Sequence, residues 1–236
     1  MHMAEPSFAD LLEASTARCR AMDAPLARRL QSFADDVRAL SPEFAAVVDR
    51  MVARLTDSGA GSAAPNVGEP MPPFLLPDQD GHLVSLDALL ERGPAVIAFH
   101  RGHWCPYCRI NASALADISG EVRGLGGQIV AITPELLRFN TDLREDAAAP
   151  FPVLADIDNA YALELNVAIW VGEEKMLAMQ SAGWDISRFH GNGAWMLPIP
   201  ATFVVGTDGL VKARYVDPDY RTRMAIETIR EGLLKA

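Results

Sequence analysis

Two of the chain's three cysteines lie close together in the stretch FHRGHWCPYCR, which covers residues 99–109. This cysteine pair, Cys105 and Cys108, follows an apolar run and precedes a sequence that predicts a helix. Unpaired N–H groups and the helix dipole stabilise an anion at a helix N-terminus, so we expect Cys105 to ionise more easily than a free thiol and to act as the nucleophile. Cys108 lies one helical turn further on, where it can attack a sulfenic acid or a mixed disulfide on Cys105. The spacing therefore predicts reversible thiol chemistry.

Other uses of a Cys-x-x-Cys pair fit this chain less well. A structural zinc site normally needs four ligands, and the sequence has no second Cys-x-x-Cys to combine with His100 or His103. Haem attachment requires a histidine directly after the second cysteine, where this chain has Arg109. Two inert buried thiols stay open as an alternative, because free cysteine is often a small core residue. Cys19, on the apolar face of a predicted helix, is interpreted in that way.

The residues beside the cysteine pair suit redox chemistry. Pro106 fits a first helical turn, where its missing N–H would have had no helical partner. Trp104 can form a wall of the site. Arg101 and His103 are candidates for stabilising a thiolate, because cationic neighbours lower the pKa of a cysteine. This chemistry needs no metal and no organic cofactor.

The first 56 residues predict an N-terminal extension of three amphipathic helices. Apolar residues recur at helical spacing in two segments before residue 41. The third helix is predicted to begin at Ser41-Pro42, an N-cap residue followed by proline at the first helical position. Short helices are marginal alone, so we expect them to pack on the rest of the chain or on the same helices of a second subunit, as in a homodimer.

The composition changes after this extension. Residues 57–66 predict a linker, because they are rich in Gly, Ser and Ala and cannot bury a face. Residues 67–236 are predicted to form the main domain. Residues 167–197 are its least regular part, and their tryptophans and methionines are interpreted as packing residues.

The main domain shows an alternation of strands and helices. The predicted strands lie at 74–76, 83–85, 95–99, 128–132, 151–154, 201–205 and 210–216. One predicted helix follows the cysteine pair and ends near residue 123, and three more cover 135–145, 159–165 and 220–234. Parallel strands need crossover helices, whereas the last two strands are joined by a tight turn. The order therefore predicts an α/β fold with a central mixed β-sheet flanked by helices.

Composition limits the range of partners. The net charge of −10 and the lack of a Lys/Arg cluster argue against nucleic acid. No apolar stretch approaches the roughly 20 residues that a membrane helix needs. Three cysteines are too few, and odd in number, for a secreted disulfide framework. We therefore expect a cytoplasmic protein without nucleic-acid or membrane partners.

Three segments together resemble a known family. FHRGHWCPYC, the upstream VGEPMPPFLLPDQDGHLVSLDALL and the downstream LPIPATFVVGTDGLV resemble the peroxiredoxin-like branch of the AhpC/TSA (alkyl hydroperoxide reductase and thiol-specific antioxidant) family, over about residues 67–234. The resemblance implies a thioredoxin-like fold and a peroxidase that reduces hydrogen peroxide or organic hydroperoxides. It implies that Cys105 is the peroxidatic and Cys108 the resolving thiol, with a thioredoxin-like or low-molecular-weight thiol as reductant. Pro200 matches the place of a cis-proline that faces the cysteines in thioredoxin-like proteins.

The sequence also departs from this family's pattern. Typical members carry a proline seven and a Thr or Ser three residues before the peroxidatic cysteine, where this chain has Ala98 and Gly102. Pro200 occupies the approximate place of the family's usual arginine, and Arg101 is a candidate substitute. These departures keep a thioredoxin-like thiol–disulfide oxidoreductase open as an alternative function of the same CPYC pair. A redox-regulated binding protein, with its partner surface on the N-terminal helices, is a third.

Overall fold

The computed structural model describes residues 7–236, so residues 1–6 of the predicted extension lie outside the described part. The described part begins with three helices, α1 (Phe8–Arg20), α2 (Leu26–Leu40) and α3 (Pro42–Asp57). Ser41 caps α3 as predicted, because its hydroxyl accepts the backbone N–H of Phe44 and Pro42 takes the first helical position. The three predicted amphipathic helices are confirmed.

The remaining residues form a mixed sheet with helices on both faces. The strands in chain order are β1 (Leu75–Pro77), β2 (Leu83–Ser85), β3 (Ala95–Phe99), β4 (Gln128–Thr133), β5 (Val153–Ala155), β6 (Ala168–Trp170), β7 (Met196–Pro198), β8 (Ala201–Val205) and β9 (Val211–Val216). The central sheet has the order β5-β4-β3-β8-β9. β3, β4 and β5 are parallel, whereas β8 is antiparallel to both of its neighbours. The predicted α/β class and its central mixed sheet are confirmed.

Eight further helices follow α3 in the described residues. They are α4 (Leu86–Leu90), α5 (Pro106–Asp117), α6 (Ser119–Gly124), α7 (Leu137–Asp146), α8 (Ala160–Glu164), α9 (Glu173–Ser181), α10 (Ser187–His190) and α11 (Ile226–Leu233), with a 3-10 turn at Ile157–Asn159. Apolar residues of α5, α7 and α11 cover one face of the central sheet, while α4, α8 and the β1–β2 hairpin cover the other. None of the helices in the described part is both long and apolar enough to span a bilayer.

Two predicted elements differ from the structure. The closing helix begins at Ile226 rather than near residue 220, because residues 220–225 form an irregular segment that turns toward the cysteine pair. Residues 167–197 are more regular than predicted: β6 and β7 pair antiparallel, and α9 lies between them. Trp195 and Met179 are buried there as expected, whereas Trp170 is half exposed.

The segment predicted as a linker is packed against the sheet. Arg214 of β9 donates to the carbonyl of Gly61 at 2.8 Å, and Ala64 is fully buried. A Cβ at Gly61, whose φ is +80°, would collide with the side chains of Val216 and Ile199. The segment therefore holds the end of α3 on β9, and the division into extension, linker and main domain stays a prediction.

The N-terminal helices share one hydrophobic core with the cysteine pair. Leu12, Leu30 and Phe33 are buried in the same cluster as Cys105 and Cys108. This packing on the main domain of the same chain is one of the two arrangements that the sequence predicted.

Candidate active site

The cysteine pair lies where β3 ends and α5 begins. β3 is buried along its whole length, and a short loop leads from Phe99 to Cys105, the N-cap residue of α5. Pro106 is the first helical residue, as predicted. Cys108 lies in the first turn, where its N–H donates to the carbonyl of Cys105 at 3.0 Å. Both thiols are free, so this geometry is that of the reduced dithiol.

The loop before Cys105 rests on a buried carboxyl group. Gly102 has a φ of +133°, and a Cβ at this position would collide with the carboxyl group of Glu135. Oε2 of Glu135 accepts the backbone N–H of His103 at 2.7 Å, while Oε1 has no partner among the described residues. Burial raises the pKa of Glu135 to about 8. The departure from the family pattern at Gly102 therefore has a steric reason.

Two donors converge on the sulfur of Cys108. Its Sγ accepts the backbone N–H of Arg101 at 3.2 Å and Nη2 of Arg223 at 3.3 Å. Cys108 is fully buried, and Arg223 is 8% exposed. The side chain of Cys105, by contrast, makes no capping hydrogen bond at the start of α5. The charge-assisted contact of this site is therefore on Cys108.

The expected order of acidity within the cysteine pair is wrong. Burial raises the pKa of Cys105 well above its usual value, and its hydrogen bond to Cys108 raises it further. Burial alone would also raise the pKa of Cys108, but the hydrogen bond from Cys105 and the charge of Arg223 outweigh it and hold that pKa well below the usual value. The lower pKa of the pair is thus on Cys108, the one sulfur that the guanidinium of Arg223 contacts.

Of the two predicted cationic residues, Arg101 is at the site. Its side chain is 4% exposed, and its guanidinium carbon lies 3.9 Å from the ring centroid of Tyr220 and 5.0 Å from that of Trp104. The predicted wall residue Trp104 thus holds Arg101 by a cation–π contact as well as lining the site.

His103 points elsewhere. Its Nε2 lies 3.9 Å from Asp146, in a network where Asp146 also pairs with Arg109 and Arg20. Burial and the charge of Arg109 lower the pKa of His103. None of its described contacts reaches a sulfur, so the predicted charge support by His103 is not present in this structure.

Pro200 lies near the site in the trans form. Ala201 pairs with Phe99 across β8 and β3, which places Pro200 beside the strand end that leads to the cysteines. The expected cis peptide is absent, because no cis bond occurs in residues 7–236. The backbone stays extended here: the N–H of Ile199 donates to Val167, and the carbonyl of Pro200 accepts the N–H of Asp217.

Four residues of the site were not found by sequence reasoning: Glu135, Lys175, Tyr220 and Arg223. Arg223 and Cys108 are 115 positions apart, and no local pattern connects them. Glu135 lies three residues after the end of a predicted buried strand, which was the one available signal, because strand ends are where loops carry function.

A cavity lies beside Cys105 and is referred to below as the Cys105 cavity. It encloses about 50 Å³ and opens to solvent. The N-terminal helices contribute Leu12, Phe33, Ala34, Val37, Arg38, Phe44, Ala45 and Val48; the main domain contributes Arg101, Trp104, Cys105, Pro106, Tyr107, Lys175, Met179, Trp184, Tyr220 and Arg221. Cys108 does not line it. A small molecule in this cavity therefore meets Cys105 first.

The fold and the dithiol at the head of α5 define a thioredoxin-fold protein with a redox-type cysteine pair. The model of the AhpC/TSA family matches residues 67–214, and the chain belongs to this family.

Curated relatives support this assignment, and solved structures share the fold. Peroxiredoxin Q of Oryza sativa subsp. japonica, a chloroplastic protein, is 31% identical over 107 residues, 45% of this chain and 46% of the relative, so the chain spans about half the length of that relative. A Mycobacterium tuberculosis relative named as a peroxiredoxin is 30% identical over 149 residues, 63% of this chain and 83% of the relative. Peroxidoxin BcpB from the same organism has a similar fold (TM-score 0.56, 22% identity, 72% of this chain and 97% of that one). Peroxiredoxin 6 of Arenicola marina does too, at 16% identity (TM-score 0.55, 71% of each chain).

Proposed function

We propose that this protein is a thiol-dependent peroxidase that reduces hydrogen peroxide or organic hydroperoxides. One observation carries the proposal: Cys105 lines a cavity, while the guanidinium of Arg223 donates to Sγ of Cys108 directly behind it and lowers the pKa of that thiol. Membership of the AhpC/TSA family supports the same activity.

Access to the cavity and charge give the two cysteines different roles in the reaction. The Cys108 thiolate takes the proton of Cys105 through their hydrogen bond, and the new Cys105 thiolate attacks the distal peroxide oxygen. The O–O bond breaks, Cys105 becomes a sulfenic acid, and the hydroxide or alkoxide that leaves takes up a proton to give water or an alcohol. Cys108 then attacks that sulfur, a disulfide forms and water is released. A thioredoxin-like or low-molecular-weight thiol returns both cysteines to the reduced state.

Arg101 is the proposed substitute for the polar groups that the family pattern would supply. Ala98 and Gly102 offer no side-chain donor, whereas the guanidinium of Arg101 lines the cavity beside Cys105. Five N–H donors on a guanidinium can bind a peroxide oxygen while the chain before Cys105 keeps its tight packing on Glu135.

The burial of Cys105 argues against the alternative function, a thiol–disulfide oxidoreductase that acts on protein disulfides. Cys105 is only 2% exposed, and α1–α3 stand between it and solvent. A protein disulfide would have to displace these helices to reach the sulfur, whereas a peroxide fits the cavity. We also propose a reducing compartment such as the cytoplasm, where the free dithiol is stable; a homodimer stays a proposal.

Stopped-flow tryptophan fluorescence tests the function directly. Reduced protein is mixed with hydrogen peroxide, an alkyl hydroperoxide and a small disulfide, and mass spectrometry then identifies the oxidised species. We expect faster oxidation by the peroxides and an intramolecular disulfide within the cysteine pair. Cys105→Ser should abolish turnover, and Cys108→Ser should react slowly once and stop at a sulfenic acid. Faster reaction with the disulfide, or a bridge through Cys19, would contradict the proposal.

A further inference from the structure

Lys175, on α9, is a buried lysine. Its side chain is 2% exposed, and no carboxylate of residues 7–236 forms an ion pair with it. Its Nζ lies 3.6 Å from the ring centroid of Phe44 and 5.7 Å from that of Tyr220. Cation–π contacts offset only part of the free energy needed to bury an ammonium group. A position so unfavourable for stability suggests a chemical role.

The location of Lys175 connects it to the cysteine pair. Lys175 and Cys105 line the same cavity, and Arg101 is the other buried cation on its wall. Burial, together with the charges of Arg101 and Arg221, lowers the pKa of Lys175 well below its usual value, while the Cys105 thiolate would raise it. An ammonium with a lowered pKa is a better proton donor at neutral pH than an ordinary lysine.

The cavity also restricts the substrate. Aromatic and aliphatic side chains, among them Phe33, Phe44, Met179 and Trp184, form most of its wall. A small organic hydroperoxide matches these walls better than hydrogen peroxide, because its alkyl part can be removed from water.

We propose that Lys175 is a catalytic residue that donates a proton to the alkoxide leaving group of a small organic hydroperoxide bound in the Cys105 cavity. This inference rests on the proposed peroxidase function and names the substrate class and the acid of the same site.

The proton balance of the reaction is complete with this donor. The proposed reaction starts from a Cys105 thiol, a Cys108 thiolate and a Lys175 ammonium. Cys105 gives its proton to Cys108 and attacks the distal oxygen, the O–O bond breaks, and the leaving alkoxide takes a proton from Lys175. Cys108 then attacks the sulfenic acid of Cys105, and its proton leaves with the hydroxide as water. The products are a disulfide, an alcohol, water and a neutral amine, so neither the cysteine pair nor Lys175 carries a charge after the reaction.

Arg101 cannot take this role. A guanidinium donates hydrogen bonds but does not give up a proton in proteins. Arg101 can orient the peroxide, while the amine of Lys175 can exchange a proton.

A pair of peroxides with different leaving groups isolates the proton donor. tert-Butyl hydroperoxide releases an alkoxide that needs a proton, whereas peracetic acid releases acetate, which does not. In single-turnover stopped flow, Lys175→Met should slow oxidation by tert-butyl hydroperoxide about 10²- to 10³-fold, the usual contribution of a general acid. Oxidation by peracetic acid should change less than about threefold, because the thiols are untouched.

Control variants separate proton donation from charge and from folding. Lys175→Arg keeps a positive charge without an acidic proton and should stay slow with tert-butyl hydroperoxide. Lys235→Met, at the exposed C-terminal end, should match the wild type with both peroxides. The wild type itself should show a larger solvent deuterium isotope effect with tert-butyl hydroperoxide than with peracetic acid, a result that does not depend on any variant folding.

Three results would overturn the role of Lys175 and leave the proposed peroxidase function intact. They are an equal loss of oxidation rate with both peroxides in Lys175→Met, a wild-type rate in Lys175→Arg, and equal isotope effects with the two peroxides. If neither peroxide oxidises the wild type, the proposed function fails, and this inference fails with it.

Discussion

At the scale of single residues, the acidity of the cysteine pair is decided by a contact that is distant in sequence. The position of Cys105 at a helix N-terminus correctly predicted a redox-type site, and the spacing correctly placed Cys108 one turn on. The prediction of the more acidic thiol was wrong, because two contacts lower the pKa of Cys108: the hydrogen bond from Cys105 and the charge of Arg223, which donates from a segment 115 positions away. A full positive charge at hydrogen-bond distance has more effect on a thiol than the partial charge of a helix end.

Removing Arg223 should therefore raise the pKa of Cys108. In Arg223→Met the Cys108 thiolate loses its charged donor, and each unit of pKa above the assay pH reduces the thiolate fraction about tenfold. Ultraviolet thiolate absorbance against pH, measured in the Cys105→Ser background, gives the pKa directly. Arg230→Met, which removes a surface pair with Glu121, is the matched control and should change nothing. An unchanged titration in Arg223→Met would show that the guanidinium does not stabilise the thiolate.

Glu135 should make stability depend on pH in the opposite direction to an ordinary ion-paired acid. Its folded pKa of about 8 lies above its usual value near 4.5, so its contribution is full below about pH 4.5 and is lost as the pH rises to about 8. The loss has a slope of up to about 1.4 kcal/mol per pH unit. Glu135→Gln should therefore gain stability relative to the wild type across this range in urea unfolding, while the exposed control Glu231→Gln should not. Parallel curves for wild type and Glu135→Gln would contradict the raised pKa.

At the scale of elements, the sequence correctly predicted the strands whose apolar pattern is simple. β3 and β4 are continuous apolar runs, and both were located to within one residue. α9 was missed because it lacks a clear apolar face: its buried positions are Met179 and, one turn earlier, Lys175, which a sequence pattern counts as polar. The irregular segment at residues 220–225 was wrongly assigned to the closing helix. Tyr220 and Arg223, two of the site residues that the sequence did not predict, lie in this irregular segment, since a chemical requirement can override the hydrophobic pattern.

The packing of α2 on α5 should be a main source of stability for the N-terminal helices. Phe33 is 1% exposed, and its ring meets that of Tyr107 edge to face, with centroids 4.9 Å apart. Phe33→Ala should lower the free energy of unfolding by about 3–5 kcal/mol in urea titration, because a large buried ring leaves a cavity. Gln31→Ala, on the exposed face of the same helix, should stay within about 0.5 kcal/mol of the wild type. A small effect at Phe33 would mean that α2 is only loosely attached.

At the scale of the whole molecule, the N-terminal helices are part of the active-site enclosure. They share a hydrophobic core with the cysteine pair and supply much of the wall of the Cys105 cavity. Ion pairs join the two parts at their edges: Glu13 with Arg109, Arg20 with Asp146, Asp49 with Arg221 and Arg50 with Glu174. The amphipathic pattern predicted that these helices need an apolar partner. It could not show that the partner surface is the site itself, because that surface is assembled from α5, α9 and residues 220–225, which are separate in sequence.

This shared core predicts that the chain unfolds in a single transition. All four tryptophans, at positions 104, 170, 184 and 195, lie outside the N-terminal helices, so fluorescence reports the main domain while far-ultraviolet circular dichroism reports all helices. The two signals should change at the same urea concentration, because exposing the apolar face of α1–α3 also uncovers the core around Cys105. Phe33→Ala should move both midpoints together, and α2 amides should exchange with deuterium as slowly as those of α5. An earlier loss of helical signal, with tryptophan fluorescence still native, would show that the helices detach independently and that the enclosure of Cys105 opens without unfolding the sheet.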